Sequence, residues 1–291
     1  MVGRNGTGKS RLLRSVVTNL LRYEVDHDPF TREERINFNS EPDGELEFRW
    51  NPTHIICAST SPFDRFPLLR RDQTHERYSY LGLRGLPSVN LGLSYMSRVI
   101  FSLLNAVHRS RDQAESIESV LRYLGYEGSM SVMLQLGSIS LIDELLQASD
   151  PVAVVHKFVN RGAMPFLSDN APGLNTLRTL TEIDLREVID AARQIYIAAS
   201  SPLSTTCVSI YIAARRRRLS ITVSRYGLSL DSMSGIDMNN VLLLARSGLL
   251  RLREVVLHQH DFDKPIKLHE ASSGEQAVVM GLLGISSHIT D

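Results

Sequence analysis

An excess of charge of either sign is missing from this chain: 32 lysines and arginines stand against 32 aspartates and glutamates. Such a balance gives no global field toward nucleic acid or an anionic membrane, so partners have to be argued from local sites. Cysteine is nearly missing as well. The two present, Cys57 and Cys207, lie far apart in the apolar, strand-like runs HIICAS and TCVSIYIA, where the residue acts as a small buried hydrophobe. No apolar stretch is long and charge-free enough to span a bilayer. Internal repeats, low-complexity tracts and long linkers are absent. The amino-terminal residues form a polar glycine loop instead of a basic flank and an apolar run, which predicts a cytoplasmic protein.

What the chain does have is enough apolar material, 43% over 291 residues, for a sizeable core in one or two globular domains. It opens MVGRNGTGKS, and residues 3 to 10 fit the phosphate-loop pattern GxxxxGK[ST] at every fixed position. The pattern has a mechanism. Gly3, Gly6 and Gly8 allow a tight backbone path through Arg4, Asn5 and Thr7, so that successive N–H groups point inward at a phosphate ahead of a helix dipole. Lys9 then reaches the β- and γ-phosphates, and the Ser10 hydroxyl ligates the magnesium that bridges them. Leu12, Leu13, Val16, Val17, Leu20 and Leu21 follow at helical spacing, so the loop is expected to run straight into an amphipathic helix.

Beyond it, residues 26 to 52 are polar and turn-rich, with ELEFRW as an expected edge strand or hairpin arm. THIICAST reads as a buried strand ending in the turn SPFDRFP. From about 90 to 199 the pattern is mostly helical, in LSYMSRVIFSLLNAV, ESIESVLRYLGY, LIDELLQ, DPVAVVHKFVN and DLREVIDAARQIYIAA, broken by the strand SMSVMLQL at 129 to 136. CVSIYIA and LSITVSRYG alternate apolar and polar residues around RRRR, which predicts two antiparallel strands joined by a basic turn. NNVLLLARSGLLRLREVVL is expected to be a helix interrupted near Gly248.

The second distinctive stretch is ASSGEQ, residues 271 to 276, just ahead of the expected helix AVVMGLLGISSHI. Ser272, Ser273 and Gly274 offer hydroxyl and amide donors in an anion-binding geometry. The same residues also suit a capping box, with Ser272 as N-cap and Glu275 at the third helical position.

Taken together, GRNGTGKS and ASSGEQ resemble the ATP-binding heads of the ABC-type superfamily. The likeness is to its SMC-like branch of AAA-labelled ATPases, whose signature reads SSGEQ. Overcoming-lysogenization-defect proteins, RecN-like repair proteins and the ATPases of retron and Septu-type anti-phage systems are members. TSPFDRFP, YLGLR and GLLRLREVVL extend the similarity through the middle of the chain. The resemblance implies an α/β fold of the P-loop NTPase, ABC-type head kind, with an antiparallel β subdomain and a large helical insertion. Its parts would be residues 1–89 as an amino-terminal lobe, 90–200 as the helical insertion, and 201–291 as strands and signature helix. It further implies ATP and Mg2+ as cofactors. ATP held by residues 3 to 10 of one subunit would be closed over by the signature of a second copy, Ser272, Ser273, Gly274, Glu275 and Gln276. The intact parent would hydrolyse ATP to release the heads, in anti-phage defence or DNA repair, with a nuclease or other effector as partner.

The sequence departs from that family in two places. An apolar strand ending in Asp-Glu should follow the signature helix, and another strand should precede Gly3; neither is present, which predicts a head truncated at both ends, weak in nucleotide binding and in hydrolysis. Asp143 and Glu144 in SISLIDELL imitate the acidic pair, but they precede the signature and their apolar neighbours fall at helical spacing. Asp64 stands where heads keep a residue that senses the γ-phosphate, although glutamine is usual there; it also suits a turn. Arg215, Arg216, Arg217 and Arg218 offer either a DNA-phosphate contact or a solvated hairpin turn. His258, His260, Asp261 and His269 gather metal-ligating types without a repeated tetrahedral spacing. Two rival functions remain: a non-catalytic interaction module built on the helical middle, and a phosphate-loop kinase, which would leave ASSGEQ unexplained.

Overall fold

A computed structural model of the chain describes residues 9–27, 52–61, 63–68, 77–86, 91–136, 144, 147–160, 182–199, 218–230, 237–259 and 262–289. The chain divides into two units, Met1–Gly85 and Leu86–Asp291. Both mix helices with sheet, so the fold class is α/β. Among the described residues, no helix is long and apolar enough to cross a membrane.

In the first unit the expected helix behind the glycine loop forms as α1, Lys9–His27. Its inward stripe carries Val17 and Leu21, 8% and 0% exposed, one helical turn apart, while Leu12 and Leu13 near its start stay exposed. THIICAST supplies β1, Ile55–Ser59, and β2 is Tyr78–Gly82; the two pair in parallel, with Cys57 opposite Tyr80. Val17, Leu21, Cys57 and Tyr78 form one cluster, edged by Ile55, Phe66 and Tyr80. A helix thus covers a parallel strand pair, as an α/β unit requires. ELEFRW lies outside the described residues.

The second unit is built on a five-stranded antiparallel sheet in the order β5-β4-β3-β6-β7. Its strands are β3, Tyr126–Leu136; β4, Arg218–Ser224; β5, Gly227–Leu230; β6, Leu250–Gln259; and β7, Phe262–Lys267. One face alternates into the core: Met130, Val132, Leu134 and Leu136 on β3, Leu219, Ile221 and Val223 on β4, Leu250, Leu252, Val255 and Leu257 on β6. Pro265 is tolerated because β7 is an edge strand, where a missing N–H breaks no inner ladder.

Helices α2, Leu91–Arg109, and α3, Arg111–Tyr123, pack against this sheet together with α6, Met238–Arg246. α2 buries Val99, Ile100, Leu103 and Leu104 completely, in adjacent pairs one turn apart. Each such side chain contributes about 1.5–3 kcal/mol by leaving water. α4, Pro151–Asn160, packs on α5, Glu182–Ala199, which in turn packs on α6. A 3-10 turn, Leu268–Glu270, leads from β7 to the last helix, α7, Ser273–Ser286, which lies against α2 and α3.

Two expectations about this region are corrected or left open. The run 239–257 is not one interrupted helix: α6 stops at Arg246, Ser247 caps it, and Gly248 turns the chain at φ 76°. Glycine is the residue that reaches this left-handed conformation without strain, and the chain beyond it is extended as β6. Arg218, expected in a basic turn, is the first residue of β4, whose paired neighbours are β3 and β5. CVSIYIA and Arg215, Arg216 and Arg217 lie outside the described residues.

Candidate functional site

The glycine loop from Gly3 through Arg4, Asn5, Gly6, Thr7 and Gly8 lies outside the described residues. Its downstream half does not. α1 begins at Lys9, and Ser10 is exposed in its first turn. Lys9 and Ser10 are therefore helical, as the residues behind a phosphate loop need to be.

The ASSGEQ stretch is described in full. Ser272 is the N-cap of α7, and its Oγ accepts the Glu275 N–H at 3.2 Å. That is half of a capping box. The reciprocal half is replaced: the Glu275 carboxylate accepts a hydrogen bond from the Tyr126 hydroxyl on β3. Burial and then this carboxylate raise the Tyr126 phenol, so it stays protonated as the donor. Gln276 also faces inward, its amide nitrogen donating to the Ala271 carbonyl at 2.8 Å and to the His269 carbonyl at 3.3 Å.

The motif thus divides by role. Glu275 holds the helix start to the sheet and Gln276 ties it back to the turn before it, while Ser272, Ser273 and Gly274 are exposed. A Cβ built on Gly274 would meet nothing within 4 Å, so no neighbour among the described residues requires glycine there. Ser273 and Gly274 are the first two residues of α7, and the N–H groups of a helix's opening turn have no partner within the helix.

Near the end of β1 and β2, Asp64 is 7% exposed and anchors a turn. Its carboxylate accepts the Phe66 N–H at 3.2 Å and the Tyr80 hydroxyl at 2.5 Å, and it pairs with Arg84 at 3.7 Å. Arg84 donates onward to the carbonyls of Asp64 and Phe66. Burial, followed by the Asp64 hydrogen bond, raises the Tyr80 phenol. One partner belongs to its own turn and the other two to β2 and the residues just beyond, so Asp64 ties the turn after β1 to the end of β2. Beneath it Cys57 is buried, and desolvation pushes its thiol up to about 11.

The remaining sequence candidates scatter. Glu144 is followed by a helical turn, its carbonyl accepting the Ala148 N–H at 3.0 Å, and its carboxylate pairs with Lys157 at 3.4 Å. Asp143 lies outside the described residues. His258 is on β6 and His269 is in the 3-10 turn, 3.7 Å from Glu270, while His260 and Asp261 lie outside the described residues.

Tyr126 and Arg84 escaped the sequence reading. Nothing local joins Tyr126 to Glu275, since their meeting depends on β3 and α7 converging. The YLGLR stretch drew notice only by likeness, without showing that Arg84 would reach Asp64. Compared with family models, with curated proteins and with solved structures, the chain gives no match, so the argument for its function rests on this geometry and on the two motifs.

Proposed function

We propose that this chain is an ATP-binding head of the P-loop, ABC-type kind, closing on a second copy of itself when Mg·ATP is bound. The observation that carries the reading is the exposed helix start at Ser272, Ser273 and Gly274, held from behind by Glu275 and Gln276, in a chain that also carries GRNGTGKS. The loop would wrap the β-phosphate with its N–H groups, Lys9 would neutralise the γ-phosphate, and Ser10 would ligate magnesium. The γ-phosphate would then meet the donors of Ser272 and Ser273 and the glycine backbone of the partner, where lack of a side chain allows close approach. ATP would act as a reversible link between heads, and its hydrolysis would release them.

The open space beside Gly274 supports the reading. A glycine near a helix start costs helix stability relative to alanine, and no neighbour among the described residues calls for it. Glu144, paired with Lys157, takes no part in orienting water in this reading. By the same resemblance the protein would serve anti-phage defence or DNA maintenance, with Arg218 as a candidate contact to a DNA backbone.

The test is the mass in solution by light scattering. With magnesium and a non-hydrolysable ATP analogue the mass should double, and Lys9→Ala should abolish both nucleotide binding and the doubling. A mass that ignores nucleotide, in a chain that binds none, would sink this reading; a dimer formed without nucleotide would favour the interaction module.

A further inference from the structure

We propose that Tyr126 is a positioning residue for the Ser272–Gly274 turn, acting through Glu275. The proposal rests on the nucleotide-head reading for its functional half, and on geometry alone for its structural half.

In an ordinary capping box the glutamate at the third helical position folds back on the N-cap amide and closes the helix start. Here that carboxylate points the other way, to the Tyr126 hydroxyl. The Ser272 side chain still caps the Glu275 N–H, so the helix is begun correctly, but the glutamate does not lie across its mouth. Tyr126 itself has little freedom, being 2% exposed. Two features place it. Gly125 turns the chain out of α3 at φ 84°, and β3 takes a longer path between Tyr126 and Met130 than β6 takes between Leu257 and Gln259. Such an irregularity re-aims a side chain that a regular ladder would fix elsewhere. The turn is held from the other side by the Gln276 amide on Ala271 and His269. Between these two tethers the exposed serines and glycine are carried on a stiff support, so an anion meeting them would pay little for ordering the turn.

The experiment compares wild type with Tyr126→Phe, Glu275→Gln and Glu275→Ala. Amide hydrogen exchange is read without nucleotide at Glu275 and Gln276, whose N–H groups are bonded to Ser272, and self-association is read with magnesium and a non-hydrolysable ATP analogue. Tyr126→Phe removes only the hydroxyl, and Glu275→Gln keeps an acceptor for it. Exchange in the turn should quicken about tenfold in Tyr126→Phe and Glu275→Ala, the effect of one lost hydrogen bond, and stay near wild type in Glu275→Gln. Exchange in α6 should not change. Association should weaken by a similar factor in Tyr126→Phe and Glu275→Ala, while binding of the analogue to the single chain, made through Lys9, is unaltered.

Unchanged exchange at Glu275 and Gln276 in both Tyr126→Phe and Glu275→Ala overturns the positioning role. Quickened exchange with undiminished association overturns its functional half. If wild type itself fails to associate with nucleotide, the head reading falls, and the exchange data still decide whether Tyr126 sets the turn. Should Tyr126→Phe not fold, Glu275→Ala carries the same comparison, because that carboxylate lies at the surface end of the pair.

Discussion

Cys57 shows what a single buried group does to the first unit. Its thiol is raised from 9.0 to about 11, mainly by desolvation and partly offset by the Tyr78 hydrogen bond. The native state therefore keeps this proton where the unfolded chain has lost it. The stabilisation is fully present below pH 9 and is lost as pH rises from 9 toward 11, with an upper size of about 2–3 kcal/mol. Tyr78 and Tyr80 are also raised from 10.0, so their share of the loss begins above pH 10. Denaturant melts from pH 8 to 10.5 should show stability falling from pH 9 in wild type. In Cys57→Ala the fall should begin nearer pH 10, and identical onsets would disprove the assignment.

At the scale of elements, α7 carries a glycine that its own packing does not ask for. Replacing it with alanine should raise helix stability by up to about 1 kcal/mol, because the new Cβ meets nothing and the unfolded chain loses freedom. Thermal melting of Gly274→Ala should therefore match or exceed wild type, while nucleotide-driven association is lost. A lowered melting temperature would mean that glycine serves the fold instead.

The same helix shows how far sequence reaches. The cap at Ser272 and the start of α7 were legible, since capping depends on neighbours within three residues. So were α1, α2, the strand at 129–136 and the end of the helix near Gly248, all set by periodicity and glycine. What followed Gly248 was misread for a definite reason. β6 alternates from Leu250 to Leu252, then slips by one residue opposite Met133 and Leu134, and resumes at Val255 and Leu257. That slip breaks the period of two and mixes in the spacing of a helix. The Tyr126–Glu275 and Asp64–Arg84 contacts were out of reach because each needs separate elements to converge.

At the scale of the whole molecule, a site shared between two copies can be tested by mixing defective chains. Lys9→Ala lacks the phosphate grip but keeps its signature, and Gly274→Ala has the reverse defect. Neither should dimerise alone with nucleotide. In a mixture, the loop of the second faces the signature of the first, giving one sound site per pair, so scattering should show heterodimers that neither parent forms. Failure to complement would mean that the two motifs do not serve one nucleotide from opposite chains.

The central place of β3 also bears on how the protein is made. Its first partner, β4, begins at Arg218, roughly 80 residues after β3 ends, and β6 follows later still. At translation speeds of about 5–20 residues per second, an apolar strand with both ladders open emerges several seconds before either neighbour exists. During that interval its edges are open to wrong partners, and slowing the ribosome between β3 and β4 should lower the yield of native protein.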